Sequence, residues 1–209
     1  MTKVRGAGIG LAAATVLTLT ACGGHDTVSP GGPGRAMPPA PSIAGTTGTP
    51  DGVTTNADVF GPACSRLPRG PAPGSLDSMS PQTVVSAAAT NPLLTKLVAA
   101  VKAAHLGDTL ESEPAITVFA PADPAFAALG DVKFAELAPI LQYHVVGKRY
   151  DAKGLATAGS VDTAAGPLTI EGVGESMTVN GAKILCGNIP TKNATVFVID
   201  RVLTPGAIG

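Results

Sequence analysis

The stretch from Met1 to Cys22 limits what this chain can fold into more than any other. Lys3 and Arg5 make a basic start, an apolar run covers residues 7–18, and Leu19-Thr20-Ala21 leads into Cys22. A basic opening, a short apolar run and small residues before a cut site are the parts of a secretory signal peptide. The run is too short for a comfortable permanent span, which takes about 20 apolar residues. Residues 1–21 are therefore expected to be a signal peptide, and the rest to fold outside the cytoplasm.

Leu19-Thr20-Ala21-Cys22 also resembles the bacterial lipobox, whose cysteine is acylated and becomes residue one of the mature protein. A cysteine serves there because its thiolate is a strong enough nucleophile to accept a diacylglycerol. An ordinary signal peptide with an incidental cysteine is the alternative; the position, the flanks and Gly23-Gly24 favour lipidation at Cys22. Acyl chains such as palmitate contribute about 0.8 kcal/mol per buried methylene, so more than one chain holds a domain on a membrane stably. The expected location is the extracytoplasmic face of a bacterial cell membrane, with the membrane as partner through the N-terminal lipid.

Residues 23–55 are Gly, Pro, Ser, Thr and Ala with almost no large apolar side chain. Such a stretch cannot bury enough surface to offset its ordering entropy, so residues 22–57 are expected to be a disordered, lipid-anchored linker. Its root-mean-square span would be roughly 30–40 Å for a flexible chain, enough to clear lipid headgroups. Thr46, Thr47 and Thr49 beside Pro50 form a Thr/Pro patch of a kind that is O-glycosylated in some secreted proteins; a plain tether accounts for it equally well.

Charge and cysteine content narrow the function. Formal net charge is −1, and residues 1–21 carry Lys3 and Arg5 but no acid, which leaves −3 after cleavage. With no basic patch, nucleic acid is not an expected partner. No tryptophan is present, which disfavours carbohydrate stacking. With Cys22 acylated, Cys64 and Cys186 remain. Two cysteines in an oxidising compartment most economically form one disulfide, worth a few kcal/mol in the chain-entropy model. Two free buried thiols are the alternative, and a Cys-rich metal site is not on offer.

The folded part is expected over residues 58–209, with its core elements over 80–205. Ser80-Pro81 reads as an N-cap with proline at the first helical position, starting a helix to about residue 89 that carries Val84 and Val85 inward. Leu93, Leu94, Leu97, Val98 and Val101 recur at helical spacing, with Lys96 and Lys102 off the stripe. Residues 115–120 read as a buried strand, Asp123-Pro124 as the cap of a short helix, and 132–142 as a helix despite Pro139. Tyr143-His144-Val145-Val146 is expected to turn into a strand, with short β runs at 155–161, 167–170, 176–179 and 182–186, and Asn180-Gly181 as a two-residue hairpin turn. A last strand is expected at 194–202. Helices first and hairpins later make this an α+β fold, not a doubly wound one.

Three boxes then carry a family resemblance. Thr117-Val118-Phe119-Ala120-Pro121-Ala122-Asp123-Pro124-Ala125-Phe126 resembles the first box of the fasciclin (FAS1) domain, Tyr143-His144 its central Tyr-His motif, and Val196-Phe197-Val198-Ile199-Asp200-Arg201-Val202-Leu203 its closing box, in the right order. Gly61-Pro62-Ala63-Cys64, Cys186-Gly187 and Asn193-Ala194-Thr195-Val196 further resemble a mycobacterial group of secreted antigens, single FAS1 domains with one disulfide, of which one is a lipoprotein. The resemblance implies a single FAS1 domain, a β-wedge or sandwich with several helices packed against it, and an adhesion or binding role without catalysis. It singles out Tyr143 and His144 as binding residues, although a core histidine with an aromatic neighbour explains the same pair.

The rest of the chain holds no catalytic constellation. His25, His105 and His144 are scattered, no metal-ligand spacing occurs, and there is no Gly-x-Ser-x-Gly elbow. Glu111 and Glu113 read as solvated loop carboxylates, and Gly172-Val173-Gly174 as a hairpin feature rather than a phosphate loop. Asn193-Ala194-Thr195 fits the N-glycosylation pattern. The expectation is a non-enzyme without cofactor or metal. Its first reading is a surface module binding a host or envelope protein; its alternative is an envelope carrier of a lipid or other apolar small molecule, in a groove between helices and sheet.

Overall fold

A computed structural model describes residues 51–129 and 134–205. The expected signal peptide, Cys22 and the patch of Thr46, Thr47 and Thr49 lie outside the described residues. The packed chain reaches back to Gly52, whose carbonyl accepts a hydrogen bond from the buried Thr195 hydroxyl at 2.9 Å.

The described residues form seven helices and seven strands, with short 3-10 turns at Asn56–Asp58, Pro62–Arg66 and Gly174–Ser176. The helices are α1 (Leu76–Met79), α2 (Val84–Thr90), α3 (Thr95–Ala103), α4 (Gly107–Ser112), α5 (Asp123–Leu129), α6 (Phe134–Tyr143) and α7 (Ala152–Ala158). The strands are β1 (Ile116–Pro121), β2 (Val145–Val146), β3 (Ser160–Thr163), β4 (Gly166–Glu171), β5 (Thr178–Val179), β6 (Ala182–Pro190) and β7 (Ala194–Ile199). They form one mixed sheet in the order β2-β1-β7-β6-β5-β4-β3. Only β1 and β7 run parallel, with Phe119 level with Phe197. The sheet curls until its edge strands β2 and β3 approach each other.

The period-2 alternation of strand side chains sorts the apolar residues into two cores. Ala194, Val196 and Val198 of β7, with Ile116, Val118 and Ala120 of β1, face the helical layer and meet Val84, Leu94, Leu97 and Val101. Phe197 and Ile199 face the other way, into the curl of the sheet, where Phe119, Leu155, Leu168, Ile170 and Val179 fill the space. Phe119 and Phe197 pack there with ring centroids 5.7 Å apart. Both faces of the central strands are thus buried, which accounts for their continuous apolar sequence.

Several local expectations change. Ser80 is the C-cap of α1 rather than an N-cap; α2 starts three residues later, after Thr83. Its first N–H, on Val84, is taken at 2.9 Å by the side-chain oxygen of Asn193, a partner far away in sequence. Residues 155–158 are helical, not β, because Asp151 caps α7 by accepting from Gly154 N–H at 2.7 Å. Glu111 belongs to helix α4, where it accepts from Thr83 Oγ1 at 3.0 Å. The Asn180-Gly181 turn is as expected: Val179 pairs with Ala182, and both turn residues have positive φ, 44° and 73°.

Candidate functional site

The end of α6 delivers Tyr143 and His144 into the interior. Tyr143 is 4% exposed; its hydroxyl donates to the Pro167 carbonyl at 2.9 Å and accepts from Asn180 Nδ2 at 2.8 Å. It thereby ties the helix to β4 and to the hairpin turn. His144 is 2% exposed, with Nδ1 2.7 Å from the Ile140 carbonyl and Nε2 accepting the Leu203 N–H at 2.9 Å. An Nε2 that accepts must be unprotonated, so the proton sits on Nδ1 and the ring is neutral. Burial lowers the His144 pKa to about 4, with the bond to Ile140 opposing. Every polar atom of this pair is committed inside the fold, so neither side chain presents a contact surface to a protein partner.

A cavity of about 320 Å³ lies beside this pair, between the helical layer and β1. Its walls come from α2 (Val84, Ala88), α3 (Leu97, Val101), Leu110 of α4 and Val118 of β1. The space exists because bulk is unevenly distributed. The Phe119–Phe197 pair belongs to the core inside the curled sheet, whereas the core against the helices is built mostly of Ala, Val, Leu and Ile. At its inner end the cavity meets the fully buried Leu94, Phe119 and Ala120. At its mouth stand the exposed residues Thr109, Glu113 and Gln142. Glu113 is the one charged side chain among these lining residues. The volume falls at the lower end of the range of small-molecule sites, roughly 300–1,000 Å³, and the apolar walls with a few polar groups at one end match their character. The arrangement can bind and orient an apolar molecule.

Asn193 holds one side of the cavity in place. Besides accepting from Val84 N–H, its Nδ2 donates to the carbonyls of Leu110 at 2.9 Å and Glu113 at 3.0 Å. One side chain, 6% exposed, thus joins the start of α2, the end of α4 and the start of β7. The sequence offered a glycosylation pattern and a family resemblance at this position, but no sign of this bracing role. Asp123 acts in the same long-range way: it accepts from Lys96 N–H at 2.8 Å and Thr95 Oγ1 at 2.6 Å, covering the first turn of α3.

Cys64, in the turn Pro62–Arg66, forms a disulfide with Cys186 of β6, Cα to Cα 5.0 Å. Phe60 and Gly187 exchange backbone hydrogen bonds alongside it. Among the described residues no three His, Cys, Asp or Glu side chains come together as metal ligands, and no helix is long and apolar enough to cross a membrane.

Comparison with known proteins places these features among relatives. The fasciclin domain family model matches residues 92–205. The chain is 39% identical to immunogenic protein MPT70 of Mycobacterium tuberculosis, over 72% of this chain and 84% of that one. It is 33% identical to the cell surface glycolipoprotein MPT83 of the same species, over 94% of each chain. Among solved structures, the FAS1 domain pair of the insect cell adhesion molecule Fasciclin I aligns with a TM-score of 0.51 and 18% identity, over 59% of this chain and 51% of that one. That likeness concerns the fold.

Proposed function

This chain belongs to the fasciclin domain family, and on that premise we propose that it is a bacterial cell-surface lipoprotein, held at the membrane by acylated Cys22, whose FAS1 domain works by binding rather than catalysis. The anchor reading is supported by Leu19-Thr20-Ala21-Cys22 after a basic and apolar start, and by 33% identity to a cell surface glycolipoprotein over 94% of this chain. The binding role is supported by membership of the fasciclin domain family and by the apolar cavity between helices and sheet. The first partner class is a host or envelope protein.

Fractionation of cells expressing the full chain tests this. Wild type is expected with the membrane and released by detergent; Cys22→Ser is expected in the soluble fraction, and a variant still needing detergent would sink the anchor. In-cell crosslinking of the wild-type protein, with bound proteins and lipids both identified, tests the partner class. Recovery of lipid alone would sink the adhesion reading.

A second reading, an envelope carrier of one apolar molecule, has its own support in the cavity between helices and sheet.

A further inference from the structure

We propose that the cavity between α2, α3, α4 and β1 takes the single hydrocarbon chain of an amphiphile, and that Glu113 at its mouth selects an uncharged or cationic head group over an anionic one. The proposal rests on the carrier reading and adds the ligand class to it.

Volume sets the chain. The cavity of about 320 Å³ sits at the lower end of the range of small-molecule sites, roughly 300–1,000 Å³, a size suited to one apolar chain. The walls agree, since the inner end at Leu94, Phe119 and Ala120 offers no polar side-chain atom to a head group. An amphiphile therefore enters tail first and leaves its head among Thr109, Glu113 and Gln142.

Charge sets the head. The Glu113 backbone carbonyl is pinned by Asn193 at 3.0 Å, which fixes where the residue stands, while its carboxylate has no hydrogen-bond or ion-pair partner among the described residues. Among the described residues, no lysine or arginine lines the cavity. The nearby imidazole of His144 is neutral, with both nitrogens engaged by backbone. A carboxylate or phosphate head would thus meet a like charge with no cation to offset it. A hydroxyl head finds acceptors and donors in Thr109 and Gln142, and an ammonium finds a counter-ion.

The test is calorimetric titration of the full-length protein at pH 7 and low salt with three twelve-carbon probes below their micellar concentrations: dodecylamine, monolauroylglycerol and laurate. The amine and the monoglyceride are expected to bind at one site, and laurate up to about fivefold weaker, the scale of an exposed ion pair. Glu113→Gln should bring laurate level with the monoglyceride. Ala88→Phe, which fills the cavity from α2, should abolish binding of all three; Val98→Phe does the same from α3 should the first variant fail to fold. Equal binding of all three probes, lost on filling the cavity, would overturn the head-group selection and leave the carrier reading standing. No binding by any probe, or binding indifferent to both filling variants, would overturn the carrier reading itself.

Discussion

The backbone N–H of Leu203 donates to Nε2 of His144 at 2.9 Å, so the closing segment of the chain is latched to an imidazole that must be neutral. Free histidine titrates near 6.5, and His144 in the fold at about 4. Between those values the unfolded chain binds a proton that the folded chain refuses. Stability is therefore complete above pH 6.5, declines as pH falls toward 4 and levels off below it, a loss of about 3 kcal/mol. Urea midpoints measured from pH 7 to 4 should follow this course. In His144→Gln the slope should flatten, and an unchanged slope would assign acid sensitivity to other groups.

Asn193 makes three hydrogen bonds to backbone groups on α2, α4 and the loop after α4. Asn193→Asp keeps the acceptor for Val84 but turns a carboxylate toward two carbonyls. A loss of about 3 kcal/mol is expected, as for a buried polar cluster left unsatisfied, and would be read as a lower denaturant midpoint. The same burial should keep the glycosylation pattern silent. Folded protein made in a glycosylating host should show no added mass on the peptide containing Asn193.

Cys64 and Cys186 stand 122 residues apart, so their bond constrains most of the unfolded domain. Reduction should lower stability by about 2–5 kcal/mol. Thermal midpoints with and without reductant measure this, and limited proteolysis should cut first near Phe60 once the bond is gone. A midpoint indifferent to reductant would contradict the assignment of a stabilising bond.

Gly61 brings the cysteine-bearing turn against β6. It has φ 113°, and a Cβ there would lie 2.5 Å from the Leu185 carbonyl oxygen. Gly61→Ala should cost about 1–3 kcal/mol and leave a measurable fraction of free thiol after oxidative refolding, because Cys64 would no longer reach Cys186 at its present spacing.

What could be read from the sequence was local or strongly patterned. Asn180-Gly181 announced its turn because two adjacent residues hold the whole signal. The apolar stripe from Leu94 to Val101 announced α3 in the same way. Leu155 was misread because a short apolar run fits helix and strand alike; the arbiters were Asp151 before it and Gly159 after it, a cap and a left-handed stop. Helix α4 escaped because its six residues carry almost no apolar stripe. Asp123 was legible as a cap but not as a partner of α3, whose Lys96 N–H it accepts from 27 residues upstream. The cavity left no trace in the sequence at all. It arises where small side chains from α2, α3 and β1 face one another, and that meeting is set by tertiary packing. Tyr143-His144 was conspicuous for a related reason, since a residue pair that several distant elements all depend on looks like a functional motif.

The parallel seam between β1 and β7 has a consequence in time. β7 is the last described strand, yet it lies between β1 and β6 and supplies residues to both cores. No shorter N-terminal piece can complete either core. Whatever channel delivers the chain, ribosomal or translocating, must release Ile199 before the domain closes, so delivery and folding are successive events. A chain built this way stays threadable until its tail arrives.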